Sequence, residues 1–265
     1  MVGSSTSGLV LVDKPAGPSS FAVVDHMRRT FGTKAGHAGT LDPLATGLLL
    51  VLLGRGTRLA RYLVGLDKRY VTEVRLGLRT STGDGEGDVI EETPVATERE
   101  MLALQGEVEL TVPAASAVKI EGERAYKLHR QGVAVEMPRR RSEIFDLRIR
   151  RYAPPLVELE LHVSSGTYVR AIADALGGHC RWLRRTAVGP FRVEDADESR
   201  VLPLLAAVVH LPERGLDEEE ARLVRNGRRL AGEGEGPVAL WTGDGELVAV
   251  GIADGETIRP ETVVA

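Results

Sequence analysis

The sequence predicts an α+β protein built on a mixed, largely antiparallel sheet flanked by helices, with a small β-barrel at its C-terminal end. Strand-like and helix-like segments intermix without the regular β-α-β alternation of a doubly wound fold. "LVELELHV" (Leu156 to Val163) alternates apolar and polar residues as a half-buried antiparallel strand does. Beyond residue 211 short apolar runs are joined by tight glycine turns, as in "GPVALWTGDGELVAVGIAD" and "TIRPETVV", and these predict the barrel. The boundary falls between Leu211 and Asp217, giving a larger domain over 1–211 and a short one over 212–265.

The elements follow in chain order. Leu9 to Val12 is a short buried strand ending in the two-proline turn "DKPAGPSS". Ser19 or Ser20 caps a helix to Phe31, with Phe21, Val24, Met27 or Arg28, and Phe31 near helical spacing and Gly32 closing it. A loop over Gly36 to Thr46 leads to a buried strand, Leu48 to Leu53, and then a helix over Thr57 to Leu66. Tyr70 to Leu78 reads as a strand running into the glycine- and aspartate-rich "RTSTGDGEGD". "TERE" (Thr97 to Glu100) is a capping box that starts another helix. "YVRAIADALGG" is a helix stopped by glycine, and "RNGRRL" reads as one more strand of the C-terminal module.

With 43% hydrophobic and 27% charged residues, the composition is that of an ordinary globular protein and argues against disorder. The longest apolar run, Leu48 to Leu53, is far too short to span a membrane, and the first apolar stretch lacks the basic flank of a signal peptide. A single cysteine, Cys180, excludes an intramolecular disulfide and a cysteine-based zinc site, so the expected location is the cytoplasm. Cys180 beside His179 reads as a small buried apolar residue rather than a nucleophile.

The net charge of −4 is unevenly spread. Twelve acids against six arginines between Glu213 and Glu261 make the tail acidic. "RRRSEIFDLRIRR" (Arg139 to Arg151) and "RWLRR" (Arg181 to Arg185) are basic clusters, either ion-paired faces or places for a polyanion.

"GHAGTLDPLATGLL" raises the sharpest functional question. Pro43 pushes Asp42 toward an extended backbone, and Gly36, Gly39 and Gly47 leave room for another backbone or a bulky ligand. Such a loop presents a carboxylate stiffly, or it is simply a turn. In the glycine-rich loop, the spaced acids Asp84, Glu86 and Asp88 are reminiscent of a calcium site but lack a full EF-hand pattern. There is no P-loop, dinucleotide fingerprint or ligand-spaced set of His and Cys.

The Asp42 stretch resembles the catalytic motif of the bacterial tRNA pseudouridine synthases that modify the T-loop uridine at tRNA position 55. The other segments carry the resemblance in order: "DKPAGPSS", "DKRY" (Asp67 to Tyr70), "RTSTGDGEGD", "SAVKIEGERAYKLHRQG" (Ser116 to Gly132), "SSGTYVRAIADALG" (Ser164 to Gly177) and "LRRTAVGPF" (Leu183 to Phe191). The resemblance implies a pseudouridine-synthase sheet followed by a PUA-type RNA-binding barrel, here short and acidic. It also implies that a uridine's N1-glycosidic bond breaks, the held base rotates, and C5 bonds to the ribose, with no cofactor and no metal. Asp42 is then the nucleophile, Arg170 its cationic partner and Tyr70 the active-site tyrosine, which stacks on the base. His37, Tyr168, Leu183 and Asp84 match residues at or near the target nucleotide, and Lys14 supports phosphate or structure. The chain has fewer residues between "DALG" and "LRRT" than the family commonly has.

A carboxylate nucleophile must stay ionised, and a permanently charged arginine suits that task better than lysine. The target base must leave its stack, so aromatic and apolar side chains have to hold it. The implied partner is the T-stem-loop of tRNA, with phosphate contacts sought in the two arginine clusters, no obligate protein partner, no membrane, and a monomer. Three other readings are a guide-RNA-dependent relative, an RNA-binding folding chaperone, and a glycosidase that pairs Asp42 with Asp84.

Overall fold

The apolar run Leu48 to Leu53 lies inside a strand, Thr46–Leu53, that pairs antiparallel with Gly8–Lys14, Val10 opposite Val51. In this computed structural model, which describes residues 6–265 apart from Glu121 and Ala134, every residue from Leu48 to Leu53 is buried. The chain divides into two units: Met1–Pro43, Gly47–Gly65 and Gly189–Ala265 form one, and Leu44–Thr46 with Leu66–Val188 form the other.

In the first unit the helix Ser20–Phe31 starts at Ser19, whose side chain accepts from the Ala22 N–H, and ends at Gly32 in the left-handed conformation. Its buried residues are Ser20, Val23, Val24 and Met27, whereas Phe21 is 71% exposed. The spacing 20, 23, 24, 27 marks one helical face, and Phe21 lies off it. The expected helix over Thr57 to Leu66 is a 3-10 segment, Gly54–Leu59, followed by one turn of α-helix, Ala60–Val64. Gly54 and Gly56 at its start weaken the α-helical preference there. Leu9 and Leu202 exchange backbone hydrogen bonds (3.0 and 2.8 Å), returning the chain to the first strand.

The C-terminal module is a five-stranded sheet in the order Glu213–Leu216, Glu235–Thr242, Leu247–Asp254, Thr257–Val263, Leu230–Ala231. Its core includes Leu216, Val224, Leu240, Val248 and Ile258. Of the expected "RNGRRL" strand only Leu230 pairs, together with Ala231 just beyond it. A helix, Glu218–Arg225, lies where none was expected, started by a capping box between Asp217 and Glu220. The last strand is held within its unit by Tyr62, whose hydroxyl meets Glu261 Oε2 (2.8 Å) and Thr262 Oγ1 (2.9 Å).

The second unit is an antiparallel sheet in the order Gly178–Val188, Lys68–Leu76, Leu156–Val163, Arg139–Ala153, Gly106–Thr111. Leu156–Val163 is buried at every second residue, as its alternation requires. Tyr70 stands opposite Leu161 and Arg185, and Thr72 opposite Leu159 and Leu183, so these six side chains share one face. A hairpin, Leu78–Thr80 with Val89–Glu92, and a short helix, Val169–Ala175, complete the parts that matter below.

Candidate active site

Asp42 is half-buried in a loop that begins after the strand Ala35–His37. On its N-terminal side the buried Ser20 hydroxyl uses both its capacities on one residue. It donates to Leu41 O (2.9 Å) and accepts from Leu41 N (2.8 Å). On the C-terminal side, Pro43 O accepts from Gly17 N (2.8 Å) and from Lys14 Nζ (3.3 Å). Lys14 is fully buried and also donates to Pro15 O at 2.8 Å. The turn "DKPAGPSS" and the first helix thus grip the peptide units on either side of Asp42. Gly39 and Gly47, at φ 101° and 100°, bracket the loop in a conformation that L side chains rarely adopt. His37 lies at the loop's entrance, paired with Val51 in the sheet.

The remaining residues singled out from the sequence lie in the second unit. Arg170, in the first turn of Val169–Ala175, is 2% exposed. Its guanidinium donates to Thr82 O (2.6 Å) and Ala115 O (2.9 Å), and Nη1 lies 3.7 Å from Asp84 Oδ2. Asp84, 5% exposed, accepts from Thr82 Oγ1 (2.6 Å) and Glu86 N (3.1 Å). A Cβ added at Gly83 would stand 3.3 Å from Arg170 Cβ, so the loop packs directly on the helix. Tyr168 is the half-buried residue just before that helix. Tyr70 and Leu183 are 7% and 5% exposed on the common sheet face. Thr46 Oγ1 donates to Leu183 O at 3.5 Å. The structure therefore gathers Asp84 and two backbone carbonyls around the Arg170 guanidinium and sets Tyr70 and Leu183 on one face. Asp42, His37 and Lys14 belong to the other unit.

Lys68, two residues before Tyr70 and on the same face, is buried with Nζ donating to Ser165 Oγ at 3.1 Å. Burial lowers its pKa to about 8, helped by repulsion from Arg185 and opposed by Asp67. From the sequence Lys68 has no special role, Ser20 is only a cap, and neither Thr82 nor Ala115 is singled out as a partner of Arg170. Ser20 had a visible signal in its neighbour, the "PSS" turn. The contributions of Thr82 and Ala115 are backbone carbonyls, which any residue supplies.

The arginine clusters lie largely on the opposite sheet face, with Glu73, Glu158 and Glu160. Arg151 and Arg181 both reach Glu73 at 2.7 Å, Arg150 stands 3.5 Å from Glu158, and Arg148 stands 2.8 Å from Asp146. These four arginines are ion-paired within the sheet. Arg140 and Arg141, farther along the strand, are exposed. Among the described residues no group of three His, Cys, Asp or Glu side chains is placed to hold a metal ion, and no helix is long and apolar enough to cross a membrane.

Residues 28–169 match the family model described as TruB family pseudouridylate synthase (N terminal domain), and residues 211–265 match tRNA Pseudouridine synthase II, C terminal. The class these matches define is pseudouridylate synthase, and the chain belongs to its TruB family. It is 42% identical to the tRNA pseudouridine synthase B of Mycobacterium sp. (strain KMS), over 97% of this chain and 95% of that one. The corresponding protein of Thermobifida fusca (strain YX) is 40% identical over 97% and 98%. Among solved structures, an H/ACA ribonucleoprotein bound to a substrate RNA containing 2′-deoxyuridine aligns with TM-score 0.73 and 25% identity, over 97% of this chain and 85% of that one. An archaeal box H/ACA small ribonucleoprotein complex aligns with TM-score 0.69 and 26% identity, over 97% and 86%.

Proposed function

We propose that the protein isomerises a uridine of the tRNA T-loop, position 55, to pseudouridine, with Asp42 as the nucleophile and the target base flipped from its stack. The observation that carries this reading is the double grip on Leu41 and Pro43, which fixes a half-buried carboxylate by its neighbours' backbone. Full-length likeness to proteins named for that activity supports it.

In this reading the uridine's N1–C1′ bond breaks, the uracil turns within the site, and C5 bonds to C1′. The C5 proton leaves to solvent and N1 gains a proton, so the reaction is an isomerisation. Arg170 supplies the fixed cation that favours ionised Asp42, and Asp84 orients that guanidinium. Tyr70 and Leu183 offer aromatic and apolar surface to the extruded base, with Tyr70 also near the C5 proton. Tyr168 and His37 contact the nucleotide and its loop. For Lys14, a fully buried ammonium on two carbonyls favours support of the Asp42 loop over a phosphate contact. Phosphate contacts fall to exposed arginines such as Arg140 and Arg141. Residues 1–211 carry the chemistry and 212–265 add RNA contacts, and the protein works as a cytoplasmic monomer without a guide RNA.

Tritium release from tRNA transcript labelled with 5-³H-uridine tests the reading. The native protein releases tritium, whereas Asp42→Asn and a transcript with cytidine at the target do not. Release that survives Asp42→Asn overturns the nucleophile, and free uracil among the products makes the protein a glycosidase. Absence of release without added guide RNA, despite tight tRNA binding, removes the stand-alone enzyme. A chaperone role predicts that Asp42→Asn keeps tRNA binding and folding.

A further inference from the structure

The helix that carries Arg170 spans only Val169–Ala175, too short to hold its own orientation in water. Two attachments fix it to the hairpin Leu78–Thr80 with Val89–Glu92 and the loop between those strands. At its first turn Arg170 grips Thr82 O. One turn later Asp174 receives Arg79 in fork geometry, Nε to Oδ1 and Nη2 to Oδ2, both 2.7 Å. Arg79 Nη1 completes the set on its cross-strand partner Glu91 at 2.7 Å. Beyond the helix, Gly177 O accepts from Gly77 N (2.9 Å) and Thr93 Oγ1 (2.6 Å).

We propose that Arg79 and Asp174 are positioning residues for the isomerisation: their bidentate pair sets the pitch of the Arg170 helix against the Thr82–Asp84 loop. The inference rests on the function proposed above. Arg79 and Asp174 side chains remain 33% and 29% exposed, so the pair adds little to global stability. Its planar two-point contact nonetheless removes one rotational freedom of a short helix on which Arg170 and Asp174 stand about one turn apart. A small tilt there moves the Arg170 fork relative to its carbonyl partners. Transition-state geometry responds steeply to such displacements.

The test compares native protein, Asp174→Asn, Arg79→Lys and Glu91→Gln by tritium release, with kcat, KM for tRNA and thermal midpoint measured for each. Asp174→Asn and Arg79→Lys are expected to lower kcat by about tenfold to a hundredfold while KM stays within about twofold. Their thermal midpoints stay close to native. Glu91→Gln keeps kcat, because Glu91 holds Arg79 without touching the helix. The inference falls if Asp174→Asn keeps kcat within about twofold of native, if Glu91→Gln loses as much, or if kcat and thermal midpoint fall together. Should Asp174→Asn not fold, Arg79→Lys, which keeps one ion pair, decides on the same criteria. Inactive native protein removes the proposed reaction and this inference with it, whereas active variants beside active native protein remove the inference alone.

Discussion

The Asp42 loop and the Arg170 cluster fix a charged group by different means. Around Asp42 the grips are hydrogen bonds to the backbone of Leu41 and Pro43, and the carboxylate itself is half-buried. Around Arg170 the grips are on the charge: two carbonyls and a carboxylate hold a guanidinium that is 2% exposed. A group that must meet a substrate is oriented through its neighbours. A group kept out of water must have its charge satisfied where it sits, because burying it otherwise costs several kcal/mol. The first arrangement is therefore sensitive to small losses of geometry, the second to any loss of charge or fork shape.

The largest effect is expected at Arg170. Arg170→Met removes the cation and leaves Thr82 O, Ala115 O and Asp84 without it, so unfolding free energy should drop by about 3–5 kcal/mol and tritium release should vanish. Arg170→Lys keeps the charge but not the two-pronged contact. It should fold and lose about a hundredfold in kcat. Native-like turnover by the lysine variant would mean that charge alone suffices and that the fork geometry is incidental.

Next comes Ser20→Ala, which deletes one hydroxyl from the Asp42 side. Leu41 loses a partner at both its N–H and its C=O in a buried place, a cost of about 1–3 kcal/mol. Because the backbone around Asp42 then keeps only the grip on Pro43, kcat should fall about tenfold with tRNA affinity retained. Denaturant titration and tritium release check the two halves separately. A stability loss with undiminished kcat would show that the Pro43 grip alone orients Asp42.

Lys68 sharpens the contrast through pH. Its folded pKa, about 8, lies below its ordinary value of 10.5, so between these the unfolded chain binds more protons. Stability from this group therefore rises as pH climbs from about 8 to 10.5, and its penalty is full below about 8. Relative to Lys68→Met, the native protein should gain stability over that window, by up to about 3 kcal/mol. Paired denaturation curves at pH 7.5, 9 and 10.5 measure it. A constant difference across the window would mean that Lys68 is charged alike in both states.

What the sequence made legible follows from which signals are local. Leu156–Val163 declared itself by alternation, and Ser20–Phe31 by its caps. Phe21 stands near helical spacing from Val24 yet is exposed, because the buried stripe begins at Ser20. The helix Glu218–Arg225 had its signal, Asp217 and Glu220 at capping-box spacing, inside a segment whose glycine turns suggested only strands. Asp42, Tyr70 and Arg170 stood out only because whole motifs resembled a family. The partners of Arg170 were illegible, since carbonyls of Thr82 and Ala115 have no sequence signature. Ion pairing is one of the two readings the arginine clusters allow from sequence, but the choice of carboxylate was hidden for a related reason. It depends on strand register, which brings Glu73 and Glu158 under Arg151.

That register leads to the smallest expected effect. Arg150 is 50% exposed and stands 3.5 Å from Glu158 and 3.8 Å from Glu160, on the sheet face away from Tyr70 and Leu183. Ion pairs of this kind contribute about 0–1 kcal/mol, because solvent screens them and long side chains lose freedom in making them. Arg150→Gln should change stability by no more than about 0.5 kcal/mol and leave the KM for tRNA within about twofold. Its salt dependence of binding should also match that of the native protein. Arg140→Gln, at an exposed site without those glutamates, is the comparison, and it should weaken binding and reduce the salt slope by about one. If Arg150→Gln showed that slope change and Arg140→Gln did not, the RNA would have to approach the glutamate-bearing face, and its arginines would be exchanging protein carboxylates for phosphates on binding.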